Sequence, residues 1–149
     1  MTMLTEHFSL EEFIFSQTAV RNGIDNTPPP DVAANLKHLA QQLEIVRNAL
    51  GVPLLISSGF RCSALNQAVG GAKVSDHMTG LAVDFTAPKF GSVLDTAKAV
   101  AASGLQYNQI IYEFGRWVHV SVPAPGAEAK MQQLSIMSAG KYVPGLGTA

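Results

Sequence analysis

Apolar positions recur at helical spacing in the first third of the chain, and beyond residue 51 they fall into short runs and alternations. Ser9-Leu10-Glu11-Glu12 reads as a capping box, with Phe8 and Phe13 placed to pack as a hydrophobic staple. A first helix is therefore expected over about 10–20, with Gly23 as its stop. The stiff segment Thr27-Pro28-Pro29-Pro30 excludes helix interior. Asp31 is expected to cap a longer helix running to about Leu50. Its apolar residues Val32, Leu36, Leu39, Leu43, Val46 and Leu50 step by four and three and form one stripe. Gly51 and Pro53 end it.

Past that helix the period shortens. Val52–Ser57 is β-like, Ser63–Val69 is a short helix closed by Gly70-Gly71, and Leu81–Phe85 is a strand. Ser92 caps another helix that ends near Gly104. Tyr107–Glu113 and Trp117–Val122 form the arms of a hairpin around Phe114-Gly115-Arg116. The last twenty residues are rich in Gly and Ala, and Lys141-Tyr142-Val143 is the one edge-strand candidate there. Helices first and antiparallel strands later define an α+β domain spanning 1–149, with helices packed on a small, mostly antiparallel sheet. Its motif-bearing core covers about 52–123, and 130–149 is a C-terminal extension.

Composition narrows the functional classes. With 47% hydrophobic and 14% charged residues over 149 positions, the chain has the makings of a packed core. Ten Lys plus Arg balance eleven Asp plus Glu without a basic cluster, so nucleic acid is not an expected partner. No apolar run is long enough to insert in a membrane, and Thr2-Met3-Leu4-Thr5-Glu6-His7 lacks the pattern of a signal peptide, so synthesis in the cytoplasm is expected. Cys62, the single cysteine, excludes an internal disulfide and multi-cysteine zinc sites, and without a base it is expected to be inert. His38, off the apolar stripe, is expected to be solvated, and His7 to make local contacts only.

Three metal-competent side chains remain. His77 lies in the polar loop Ser75-Asp76-His77-Met78-Thr79-Gly80, Asp84 in the run Leu81-Ala82-Val83-Asp84-Phe85, and His119 in Trp117-Val118-His119-Val120. In the last strand Val118, Val120 and Val122 share one face, which turns His119 to the other with Trp117 and Ser121. An ionised Asp84 in an apolar strand is costly unless it is paired or bound to a cation. Two imidazoles and a carboxylate suit zinc with one open position. A strand histidine with a structural hydrogen bond and an aspartate bonded to backbone fit the spacing equally well.

The run Ser75 to Asp84 fits the pattern S-x-H-x-x-G-x-A-x-D, and so resembles the zinc D-Ala-D-Ala carboxypeptidase and L-alanyl-D-glutamate endopeptidase family of peptidoglycan peptidases. Ser58-Gly59-Phe60-Arg61 is similar to that family's S-G-[YF]-R segment, and Trp117-Val118-His119-Val120 to its closing histidine strand. The resemblance implies His77, Asp84 and His119 as ligands of one Zn2+ ion. It further implies hydrolysis of a peptide bond in peptidoglycan stems or cross-links by a small phage or prophage endolysin, released by a holin-like permeabilising protein. Activity on the cell wall, or as part of a virion, and a monomeric state are expected with it. A D,D-carboxypeptidase removing terminal D-Ala, or a non-catalytic wall-binding or virion protein with a structural zinc, are the alternatives.

Many members of that family carry a Glu three residues before the last His, where this chain has Arg116. A three-residue loop from Phe114 to Arg116 would pair Glu113 with Trp117 and Ile111 with His119, setting Glu113 diagonal to His119 on one face. Glu113 is then the expected general base, its alternative being a rim carboxylate paired with Arg116. Arg61 is the candidate for stabilising the oxyanion, or else the partner in a surface salt bridge. Ser75 would bind substrate backbone or cap a local turn. Trp117, with Tyr112 and Phe90, is expected to line a substrate groove. Gly80 would let His77 fold back over Asp84, and Ala82 would leave room beside the ligands.

Overall fold

A computed structural model describes residues 2–147; Met1, Thr148 and Ala149 lie outside the described residues. Five helices, α1 (Leu10–Ile14), α2 (Gln17–Arg21), α3 (Pro30–Leu50), α4 (Ser63–Ala68) and α5 (Val93–Ala101), accompany six strands. The strands are β1 (Leu55–Ser58), β2 (Ala82–Thr86), β3 (Gln109–Glu113), β4 (Trp117–Ser121), β5 (Gln132–Ile136) and β6 (Tyr142–Pro144). They form one sheet in the order β1-β2-β4-β3-β5-β6, antiparallel except where β5 runs parallel to β3. The α+β class and the mostly antiparallel sheet are as expected.

One face of the sheet is closed. Val83 and Phe85 of β2, Val118 and Val120 of β4 and Ile110 of β3 pack under the stripe of α3, with Leu36, Leu39, Leu43 and Val46 fully buried, and under Ala97 and Val100 of α5. Burying side chains of this size contributes about 1.5–3 kcal/mol each before conformational entropy is charged against it. The strand residues between them, Asp84, His119 and Glu113 among these, face away from the helices on the open side. The fold thus spends its apolar residues on one face and leaves the other for chemistry.

Several local expectations need correction. The first helix is two helices, because Phe15 is extended and Ser16 starts α2 by accepting the Ala19 N–H. The break uses carbonyls that α1 leaves unpaired at its end: Phe13 O accepts Phe60 N–H at 2.7 Å and Ile14 O accepts the Asn26 amide at 2.9 Å. The capping box and the Phe8–Phe13 contact, with ring centroids 5.9 Å apart, hold as read. Asp31 is not the cap of α3: Pro29 is, with Pro30 in the first turn, where its missing N–H costs nothing. His38 Nε2 donates to Pro123 O at 3.1 Å instead of facing solvent, and His7 reaches Glu44 on α3 at 2.6 Å, a long-range contact. The C-terminal segment is part of the sheet, since β5 and β6 extend it beyond β3.

Candidate metal centre and catalytic cleft

Three chain segments build the site. β1 carries a bulge at Ser57, because Ile56 pairs with Phe85 while Ser58 pairs with Asp84. The extra residue turns the following Gly59-Phe60-Arg61 across the open face. Gly59 passes so close to α1 that a Cβ there would sit 2.4 Å from Phe13 O, which only glycine permits. Asn26 pins the same segment with a buried amide that donates to Phe60 O at 2.9 Å and accepts Cys62 N–H at 2.8 Å.

His77 sits in a 3₁₀ turn, Asp76–Met78, whose first N–H groups Ser75 caps: Ser75 Oγ accepts His77 N–H at 3.2 Å. Gly80 follows at φ +79°, where a Cβ would press within 3.0 Å of Val32 on α3. This tight return swings His77 back over β2. Its Nδ1 donates to Gly59 O at 2.7 Å, and since a carbonyl only accepts, Nδ1 carries a proton and Nε2 is the nitrogen left to face Asp84 or a metal ion. His77 O in turn accepts Arg61 N–H at 3.1 Å.

Asp84 and His119 are cross-strand partners on β2 and β4. Asp84 Oδ1 lies 2.9 Å from His119 Nδ1 and 3.4 Å from His77 Nε2, and the ligand atoms of all three residues lie within 4.8 Å of one another. Tetrahedral zinc with bonds of about 2.0–2.1 Å spaces its ligand atoms about 3.4 Å apart, so the donor set fits that ion in spacing and in type. Burial opposes the charge of Asp84, yet the hydrogen bonds and positive charge of His119 and His77 outweigh it and hold the carboxyl well below the usual range. Burial likewise opposes protonation of His119, and Asp84, Glu113 and Asp76 together raise its pKa nonetheless.

The hairpin has the expected register, Glu113 opposite Trp117 and Ile111 opposite His119. Glu113 Oε1 lies 3.8 Å from His119 Nδ1, while Oε2 accepts the Trp117 indole N–H at 3.1 Å. The indole therefore orients the carboxylate, a contact that the strand pattern does not announce. Glu113 makes no salt bridge with Arg116 among the described residues. Burial, and then the charge of Asp84, raise the Glu113 pKa against the lowering influence of His119, Trp117 and Arg61. Arg61 reaches the same cleft; burial lowers its pKa, countered by Asp84 and Glu113, and its buried Nε has no hydrogen-bond partner. Ser75 and Trp117 line the cleft, which holds about 500 Å³. Phe90 and Tyr112 are not in its wall, Tyr112 because it alternates onto the opposite face of β3, paired with Val118. Cys62 packs against the core.

An α+β scaffold that presents two imidazoles and a carboxylate, with a further carboxylate alongside in an open cleft, is the framework of a metallohydrolase. Residues 6–121 match the family model of Peptidase M15. The chain belongs to that family, whose members are zinc-dependent peptidases acting on peptidoglycan. No curated relative matches the chain. No helix among the described residues is long and apolar enough to cross a membrane.

Proposed function

We propose that this protein is a zinc endopeptidase that cuts within peptidoglycan stem peptides or cross-links, in the endolysin role implied by the sequence resemblance, reaching the wall through a permeabilising partner. His77 through Nε2, Asp84 through Oδ1 and His119 through Nδ1 would hold the ion. When bound, zinc supplies a Lewis acid that polarises a peptide carbonyl and acidifies water. Glu113 serves as general base: its Oε1 takes the proton of the attacking water and returns it to the leaving amide nitrogen. The Trp117 N–H keeps that carboxylate aimed during both transfers. Arg61 receives the charge that develops on the carbonyl oxygen, and its partnerless Nε is a donor already stripped of water for the purpose. Ser75, its hydroxyl accepting from His77 N–H, retains a proton to donate to substrate backbone at the cleft edge.

One observation carries the endopeptidase reading. The cleft is flanked on two sides, sharing Arg61 and Val69 with a cavity of about 440 Å³ beside α2 and Ile111 and Tyr142 with one of about 500 Å³ over β5 and β6. A carboxypeptidase needs room for only one residue beyond the scissile bond, and adjoining cavities on both sides favour a substrate that continues past it in both directions. The test is digestion of purified peptidoglycan with and without a chelator, with fragments identified by mass spectrometry. New internal amino termini that vanish with chelator are expected. Release of D-Ala alone would make the enzyme a carboxypeptidase, and intact peptidoglycan at every zinc concentration would end the peptidase reading.

A further inference from the structure

The cavity over β5 and β6 is built largely by residues beyond the segment that matches the family, and its chemistry is specific. Its wall is Gln109 and Ile111 of β3, Gln132 and Leu134 of β5, and Tyr142 and Pro144 of β6, with no charged side chain. Gln109, Ile111 and Tyr142 also line the metal cleft, so the two spaces adjoin. Gln109 and Gln132 are register partners, and Gln109 Nε2 donates to Gln132 Oε1 at 2.9 Å. That bond consumes one carbonyl and one N–H of the pair. A free carbonyl remains on Gln109 and a free amide on Gln132, which is the complement of one peptide unit.

Position along the strands fits a peptide as well. Ile111 pairs with His119, and Gln109 lies two residues further along β3, about 7 Å away at the usual strand rise. An extended substrate advances by about the same distance in two residues, so the amide pair is spaced to meet a peptide unit about two residues along from one lying beside His119. Tyr142 stands in the row Glu113–Ile136–Tyr142, with its side chain 54% exposed at the junction of the two cavities. The phenol is near enough to the catalytic carboxylates to feel them: after burial, Glu113 and Asp84 raise its pKa.

We propose that the C-terminal hairpin forms a peptide subsite beside the metal cleft, where the Gln109–Gln132 amides bind an uncharged stretch of extended substrate backbone and the ring of Tyr142 holds it against the sheet. The proposal rests on the peptidase reading and adds to it the chemistry of substrate selection. An uncharged wall selects small, neutral residues such as alanine over an acidic side chain, which would lose its hydration there without a partner.

The experiment compares wild type with Tyr142→Ala, Tyr142→Phe and the double variant Gln109→Ala/Gln132→Ala, all full-length and zinc-loaded. The probes are peptides sharing one scissile bond, extended by two alanine residues on the amino side, on the carboxyl side or on neither. Wild type is expected to prefer one extension by about tenfold, through a lower KM and not a higher kcat. Tyr142→Ala and the double variant lose that preference, read as the ratio of extended to unextended peptide within each variant, and Tyr142→Phe retains it. Calorimetric binding of the extended peptide to catalytically silenced Glu113→Gln protein reads the subsite without turnover, and Tyr142→Ala in that background weakens binding to the same degree. Equal use of all three peptides by wild type, or an undiminished preference in the variants, overturns the subsite alone. A wild type that cuts neither these peptides nor peptidoglycan overturns the peptidase reading together with it.

Discussion

Replacing Gly59 by Ala tests whether a backbone contact far from the chemistry sets the metal ligand. The added Cβ would lie 2.4 Å from Phe13 O, 2.8 Å from Phe13 Cα and 3.0 Å from Phe13 C. All three are backbone atoms at the end of α1, so no rotamer change relieves the clash. Restoring ordinary contact at about 3.4 Å requires the segments to part by about 1 Å. That shift stretches the 2.7 Å bond from Phe60 N–H to Phe13 O beyond hydrogen-bonding range and carries Gly59 O away from His77 Nδ1. Overpacking costs about 1–3 kcal/mol and the lost hydrogen bond about 1 kcal/mol more. Thermal unfolding of the metal-free variant should therefore begin about 5–15 °C lower for a chain of this size. Because a histidine ligand released from its carbonyl partner loses orientation, zinc affinity should fall about 10–100-fold, measured by competition with a chromophoric chelator. A destabilised variant that binds zinc as tightly as wild type would refute the claim that Gly59 O orients His77. Unchanged stability would refute the clash itself.

Other consequences are accessible to simpler measurements. Glu113→Gln keeps the shape and a hydrogen-bonding partner for Trp117, so zinc content and unfolding temperature should stay unchanged while kcat on peptidoglycan fragments falls by about 10²–10⁴; a smaller loss would remove Glu113 from the role of base. Asn26→Leu leaves Ile14 O, Phe60 O and Cys62 N–H without their shared partner, and denaturant unfolding should show a loss of about 2–4 kcal/mol. The Glu44 pKa is depressed: burial opposes this, but hydrogen bonds from His7 and Thr5 prevail. A depressed carboxylate stabilises the fold at pH values above its unfolded pKa and ceases to do so as pH falls through its folded one. Glu44→Gln should thus lower the unfolding temperature by about 2–4 °C at pH 7, for a loss of about 1 kcal/mol, with the gap closing below the ordinary carboxylate range; a gap that persists in acid would contradict the assignment.

How much of this was legible beforehand follows from how local each determinant is. The stripe of α3 and the caps at Ser9 and Ser92 depend on neighbours a few residues away, and they fold as the pattern reads. The hairpin register depends on a three-residue loop and was equally readable. Strand β5 was hidden for a physical reason. On its core-facing side stands Ser135, a polar residue that is buried because its hydroxyl donates to Gly145 O and accepts Gly147 N–H, each at 2.8 Å. On the other side Ile136 is buried in the open face, opposite Tyr142. Alternation is thereby reversed, and a parallel pairing with β3 leaves no turn signal to mark it. The break between α1 and α2 is long-range in origin, since the carbonyls that end α1 are claimed by residues 26 and 60.

The same distinction explains the construction of the site. Asp84 and His119 lie on adjacent interior strands, β2 and β4, whose opposite faces are sealed by α3 and α5, so their mutual placement is secured by the packed core. His77 comes from a loop and has no such backing. Its position depends on a relay in which Phe13 O holds Phe60, Gly59 O holds the imidazole, and His77 O holds Arg61 N–H. Helix α1 therefore helps to position His77 through Phe13, although it offers no donor to the cluster. This accounts for a glycine and an arginine in one four-residue segment, Ser58-Gly59-Phe60-Arg61: the close approach that excludes a side chain at Gly59 is what delivers the next-but-one guanidinium to the cleft and fixes the third ligand. Deleting α1 is therefore expected to loosen His77 relative to Asp84 and His119, because the ordering of its loop is conducted through Phe13.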